Sequence, residues 1–248
     1  MTLNIKATVI GSRETPMSAQ DLITWFSRMV QQHQGLVRSG GAPGADSACE
    51  RGITNPLAKQ IFLPFANFNG VKSGVGVYTL DQLHSRHQHA AEEIASRFHP
   101  NWNAVLQKPA AVKLMTRNVF QILGPDLNAP SDVVVMWAKG SRNLVAKKDS
   151  QNRIFDVPGG TGLAVRLAHH LEIPILHVDL PEHQNILQAY GNGNEDLFRH
   201  LLYEEGKWGA HRTHEAVKIL RQSVGFDLPP TPPLSTPTGR WKRTPYRP

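Results

Sequence analysis

The chain has 248 residues, 40 % of them apolar and 19 % charged, which is the length and balance of one sizeable globular domain and excludes a fibrous or wholly disordered chain. No stretch approaches the roughly 18–20 apolar residues of a membrane span, the first nine residues lack the layout of a signal peptide, and Cys49, the single cysteine, excludes an internal disulfide and fits a reducing, cytoplasmic setting. The formal charge of +7 favours polyanionic partners, but Arg240, Lys242, Arg243 and Arg247 all lie in the last nine residues and leave a body only mildly basic.

The first apolar run, Ala7-Thr8-Val9-Ile10, ends at Gly11-Ser12-Arg13 and reads as a buried strand meeting a tight turn. Ser18 is a good N-cap for the amphipathic pattern Leu22, Ile23, Trp25, Phe26, Met29, Val30. Gly35 to Ser39 reads as a second strand, followed by Gly40-Gly41-Ala42-Pro43-Gly44-Ala45-Asp46 and a short helix through Ala48 to Arg51. Lys59 to Phe65 reads as a third strand. Residues 66–81 have no clear period and read as a long loop, a candidate flap. Leu83 to Phe98, rich in histidine, and Pro109 to Leu123, with Pro109 in its first turn, read as helices. Asp132 to Ala138 is the clearest buried strand. Residues 139–157 are polar and basic, an exposed excursion. Gly159-Gly160-Thr161-Gly162 opens a helix through His170, and Ile173 to Val178 is the last core strand. Residues 181–228 read as a helical appendage. Residues 229–248 hold seven prolines and few apolar side chains, the composition of a disordered tail.

Strands alternating with helices predict an α/β fold, a Rossmann-like three-layer sandwich with a mainly parallel sheet. Such sheets bind ligands beyond the carboxyl ends of their strands. Three glycine turns fall at that end: Gly11-Ser12-Arg13, Ser39 to Asp46, and Pro158 to Gly162. Glycine lets backbone approach a ligand closely, and the helix N-terminus that follows offers unpaired N–H groups and partial positive charge to a phosphate. Ser12, Ser39 and Thr161 add hydroxyls, and Arg13 a forked cation. A tight turn explains any one of these glycine clusters; three at one sheet end point to a phosphate-bearing ligand. None is a P-loop, since no Gly-Lys-Ser/Thr closes it, and none is Gly-x-Gly-x-x-Gly with its ribose-binding acid.

Ser39-Gly40-Gly41-Ala42-Pro43-Gly44-Ala45-Asp46 resembles the Ser-Gly-Gly-Ala-x-Gly-x-Asp signature of DNA-processing protein A, of the SLOG superfamily. The superfamily also includes the LOG phosphoribohydrolases. Gly11-Ser12-Arg13 extends the resemblance. Met115-Thr116-Arg117-Asn118 is similar to the LOG Met-x-x-Arg-Lys helix, and Pro158 to Gly162 to the LOG Pro-Gly-Gly-x-Gly-Thr turn. The resemblance spans residues 5–180 and makes 1–180 a SLOG-like domain. It implies a nucleotide or nucleotide-derived ligand, with Gly11, Ser12, Arg13, Ser39, Gly40, Gly41, Gly44, Asp46, Gly159, Gly160, Thr161 and Gly162 around it. Arg117 takes the place of the LOG catalytic arginine. The LOG glutamate one turn after the glycines is replaced by Leu163-Ala164-Val165-Arg166, which favours binding over cleavage of an N-glycosidic bond.

Other signals are weaker. His84, His87, His89 and His99 lack the carboxylate or cysteine pattern of a metal site, so no metal and no cofactor is expected. Cys49 follows a helix N-terminus but has no evident histidine partner, so core packing is expected. Trp137 ends the strongest strand, where it either packs in the core or stacks on a base. Three functions compete: a small-nucleotide site, single-stranded DNA binding as in the DNA-processing relatives, and an interaction module whose Pro229-Pro230-Thr231-Pro232-Pro233 tail recruits a partner. Self-association among those relatives makes a homodimer a candidate assembly.

Overall fold

The computed structural model describes residues 4–142, 157–206 and 210–226. The proline-rich tail and most of the 139–157 excursion lie outside them. Six strands form one all-parallel sheet: β1 (Lys6–Gly11), β2 (Leu36–Ser39), β3 (Lys59–Leu63), β4 (Val77–Thr79), β5 (Val133–Trp137) and β6 (Ile175–His177), in the order β4-β3-β2-β1-β5-β6. The helices are α1 (Met17–Gln32), α2 (Ala45–Arg51), α3 (Ser85–Phe98), α4 (Trp102–Leu106), α5 (Pro109–Leu123), α6 (Gly159–His170), α7 (Pro181–Gly191), α8 (Glu195–Gly206) and α9 (Ala210–Ser223). The fold is thus the expected Rossmann-like three-layer sandwich. No helix among the described residues is long and apolar enough to cross a membrane.

Strand alternation makes the two cores. Ala7 and Val9 of β1 and Val133 and Val135 of β5 face α1, α2 and α7, with Phe26, Tyr190 and Phe198 filling that layer. Ile10, Val134 and Met136 face α3, α5 and α6, with Ile94, Phe120 and Leu163 opposite. Strands buried on both faces read as continuous apolar runs, which is why β5 stands out in the sequence. The C-terminal helices divide between the layers: Phe198 and Leu202 of α8 join the first, Val217 and Leu220 of α9 the second. The sheet changes direction at β1, with β2 on one side and β5 on the other.

Several boundaries differ from expectation. The 66–81 loop contains β4, a three-residue edge strand paired only with β3, too short to show alternation. β3 stops at Leu63 because Pro64 cannot donate to the ladder. The last strand covers only Ile175–His177. Helix α1 starts at Met17 after Pro16 rather than at a Ser18 cap. The short α4 precedes Pro109, and Asn101 Oδ1 caps it by accepting from the Ala104 N–H at 3.2 Å.

A buried arginine fixes α5 on the sheet. Arg38 of β2 is 1 % exposed. Its Nε donates to Gln60 Oε1 at 2.9 Å, and its Nη1 to the carbonyls of Ala129 at 2.6 Å and Ile122 at 3.3 Å. It therefore ties the sheet to the last turn of α5 at Ile122 and to the loop beyond it at Ala129. Thr8 of β1 adds a hydrogen bond to the Gln121 carbonyl at 2.5 Å. Desolvation lowers the Arg38 pKa to about 10, and Asp126 and Asp132 oppose the shift.

A second polar cluster joins β5 to β6. His177 is 0 % exposed. Its Nδ1 accepts from the Asp179 N–H at 3.2 Å, so the ring proton belongs on Nε2, which donates to Ser141 Oγ at 2.9 Å. Ser141 in turn donates to the Ala138 carbonyl at 2.5 Å. The serine thus holds a turn, and its hydroxyl proton is already committed to a carbonyl. Burial lowers the His177 pKa from 6.5 to about 4. A histidine buried neutral binds fewer protons folded than unfolded, so its contribution to stability is complete above pH 6.5 and is lost as pH falls toward 4. We expect the unfolding free energy to drop through that window by up to a few kcal/mol. His177→Asn should flatten that part of the profile, as read by urea unfolding from pH 4 to 8.

Candidate functional site

A cavity of about 170 Å³ opens at the carboxyl ends of β1 and β2, at the point where the sheet changes direction. Ile10, Gly11 and Arg13 form one side, Ala42 and Asp46 a second, and Gly160 and Thr161 of the first turn of α6 a third. Helix α5 closes it with Leu114, Met115, Arg117, Asn118 and Gln121, and Phe68 reaches in from the β3–β4 connection. The positions 114, 117, 118 and 121 recur at i, i+3, i+4 and i+7, one face of a helix.

The sequence-predicted residues play different parts. Gly11, Arg13, Asp46, Arg117, Gly160 and Thr161 line the cavity. Gly40 lies under the Arg117 guanidinium so closely that a Cβ there would overlap Nη1. Gly44 has φ +85°, and a side chain on it would strike the Ser12 carbonyl, so it locks the second turn against the first. Gly162 is pressed on the Val157 carbonyl. Gly41 packs on Leu63, and Gly159 faces open space. Ser12 does not line the cavity: its hydroxyl accepts from the Glu14 N–H at 3.1 Å within its own turn. Ser39 is fully buried beside Asp46.

Three polar residues of α5 set the electrostatics. Arg117 is 7 % exposed. Its Nη1 donates to Gln121 Oε1 at 2.7 Å and lies 3.7 Å from Asp46 Oδ2. Its Nε and the Gln121 Nε2 are buried with no partner among the described residues. Desolvation lowers the Arg117 pKa, while Asp46 opposes the shift. Asp46 is 3 % exposed; desolvation raises its pKa against the pull of Arg117 and of the backbone amides of Ala42 and Gly40. Asn118 donates to the Gly160 carbonyl at 2.9 Å and so fixes the start of α6 against α5.

Gln121 and the side-chain role of Asn118 were not read from the sequence. Their signal is a run of polar side chains, Thr116, Arg117, Asn118 and Gln121, on a helix segment that is buried throughout. Trp137 does not line the cavity: its indole donates to Asp179 Oδ2 at 2.6 Å and the ring packs on the α1 layer. Cys49 is fully buried in that layer, and burial pushes its thiol pKa up, which opposes thiolate chemistry. His84 and His87 have rings 5.4 Å apart, and no three metal-ligating side chains converge among the described residues.

Fold and site together define a doubly wound α/β protein with an arginine-centred cavity at its topological switch point. No protein-family model, no curated protein and no solved structure matches the chain.

Gly40→Ala tests the packing of the guanidinium. The new methyl must push the Arg117 guanidinium aside, and the fold should remain, because only a side-chain end must move. Gly162→Ala meets backbone instead and should lower stability by about 1–3 kcal/mol. Thermal unfolding of the two variants beside wild type separates the two effects.

Proposed function

We propose that the cavity binds the phosphate end of a nucleotide or nucleotide-derived ligand, with Arg117 as its central donor. The observation that carries this reading is the contrast between two buried arginines. The Arg38 side chain spreads its donors over Gln60, Ile122, Ala129 and Ser131. Arg117, equally removed from water, has a hydrogen-bond partner only at Nη1 among the described residues. A buried guanidinium with unmet donors is costly unless an acceptor arrives. A phosphate oxygen is the acceptor its fork fits best.

The surroundings support the same ligand. The first turn of α6 presents backbone N–H groups at Gly160 and Thr161, and a helix N-terminus attracts anions. Arg13 adds a second cation at the rim. At about 170 Å³ the cavity is smaller than the roughly 300 Å³ at the low end of whole-ligand pockets. It therefore suits a phosphate and the sugar next to it, with the base at the mouth. The resemblance of the three glycine turns to SLOG proteins points the same way. Binding is favoured over hydrolysis because Leu163, Ala164 and Val165 are core residues where the LOG enzymes carry their acid.

Arg117→Met tests the reading. The substitution removes unmet buried donors but also strips buried Asp46 of its counter-charge and Gln121 of its donor, so the ligand-free protein should lose up to about 3–5 kcal/mol. A nucleoside monophosphate at a hundred times its dissociation constant should stabilise wild type by about 2.7 kcal/mol, and the variant hardly at all. Undiminished stabilisation of the variant would refute the proposal. Arg38→Met, which leaves the acceptors of a second buried arginine unpaired, should also be destabilising but leave ligand preference unchanged.

A further inference from the structure

We infer that Asp46 makes this site selective for an oxyanion that carries a proton, a phosphate rather than a sulfate, with one proton shared between the Asp46 carboxyl and the bound ligand. The inference rests on the phosphate reading of the cavity and goes beyond it by naming the chemical property the site selects.

An anion site is expected to be lined by donors, and a carboxyl there needs an explanation. Asp46 lines the same cavity as Arg13 and Arg117 and is almost wholly buried. Among the described residues it is the sole carboxyl in the lining. Its Oδ2 accepts from the Ala42 N–H at 3.2 Å and stands 3.7 Å from Arg117 Nη1, beyond hydrogen-bond reach. Asp46 therefore balances the charge of Arg117 without occupying its donors. A bound oxyanion would meet both groups at once: the guanidinium as donor, the carboxyl as a like charge.

Two negative groups in so small and buried a space are stable together when a proton lies between them. Hydrogen phosphate, or a phosphate monoester in its singly charged form, brings that proton. Sulfate brings none, so Asp46 would have to take one from solvent, and sulfate affinity should fall about tenfold per pH unit above the Asp46 pKa. The groups acting on Asp46 are Arg117 from α5, the backbone amides of Gly40 and Ala42, Ser39 at the end of β2, and Cys49 and Glu50 on α2 itself. Arg13, from the turn after β1, acts on Arg117 in turn. Burial outweighs the favourable partners and moves the carboxyl pKa upward.

The test titrates the full chain with inorganic phosphate and with sulfate at matched ionic strength, at pH 5.5 and pH 8, by calorimetry and thermal shift. Arg117→Met serves as the blank for the general stabilisation both salts give. At pH 8 wild type should prefer phosphate by about tenfold or more, and the gap should narrow at pH 5.5 as Asp46 takes up its proton. Asp46→Asn keeps an acceptor for the Ala42 amide and gains a donor toward the ligand, so it should raise sulfate affinity to near that of phosphate. Equal binding of both anions by wild type at pH 8, still lost in Arg117→Met, would overturn the inference and leave the phosphate site standing. Binding of neither anion by wild type would overturn both. Should Asp46→Asn not fold, the wild-type phosphate-to-sulfate ratio at the two pH values decides alone.

Discussion

A guanidinium taken out of water must be given back its hydrogen bonds, and this fold gives Arg38 partners at both Nε and Nη1 but Arg117 a partner at Nη1 alone among the described residues. Beside the C-terminal end of α5, Arg38 meets the Ile122 carbonyl of the last turn and the Ala129 carbonyl of the loop beyond it, and the result is a pin between sheet and helix. Just past the middle of α5, Arg117 meets one glutamine, a carboxyl just out of reach, and a cavity. The same chemical group is structural in one place and available in the other. Burial does not distinguish them; the supply of acceptors does.

The location of the cavity follows from the sheet. Because β2 and β5 leave β1 in opposite directions, the connections that follow β1 and β2 diverge from the one that follows β5, and a cleft opens between them. Helix α5 runs over that cleft and closes it with a polar stripe on an otherwise buried segment. Gly44 keeps the second turn against the first, and Asn118 holds α6 to α5. Three walls from distant parts of the chain are thereby held by close backbone contacts, which is the rigidity an anion site needs if its donors are to be in place before the ligand arrives.

The strands of the sheet interior and the limits of α5 were legible because their signals are local. Val133 to Trp137 is an uninterrupted apolar run, and Pro109 marks the first turn of a helix that ends before Gly124. The glycine turns were legible for the same reason. What was not legible depends on tertiary context. The edge strand β4 has three residues and a single neighbour, too little for a period. Gln121 lies outside every sequence motif; helical spacing places it one turn from Arg117, but only the packing of α5 turns that face to the cavity. The link between Ser141 and His177 spans two strands and a turn that carries no motif. Ser12 shows the converse: a hydroxyl in a promising motif that serves its own turn.

The wall that carries the carboxyl also matters. The first turns of α6 beyond the glycines are committed to the core, with Leu163, Ala164 and Val165 buried. Arg166 donates to the carbonyls of Phe98 at 2.6 Å and Val157 at 3.1 Å, which ties α6 to the end of α3 and to its own entry. An acid could not be placed on that turn without giving up either packing or this tie. The acid that does reach the cavity comes from the opposite wall, on α2, where the turn after β2 supplies it with amides and Arg117 with a counter-charge. A carboxyl in that position faces the anion end of a ligand rather than its far side. On the proposed reading, such a placement suits recognition of the anion's proton better than protonation of a distant leaving group.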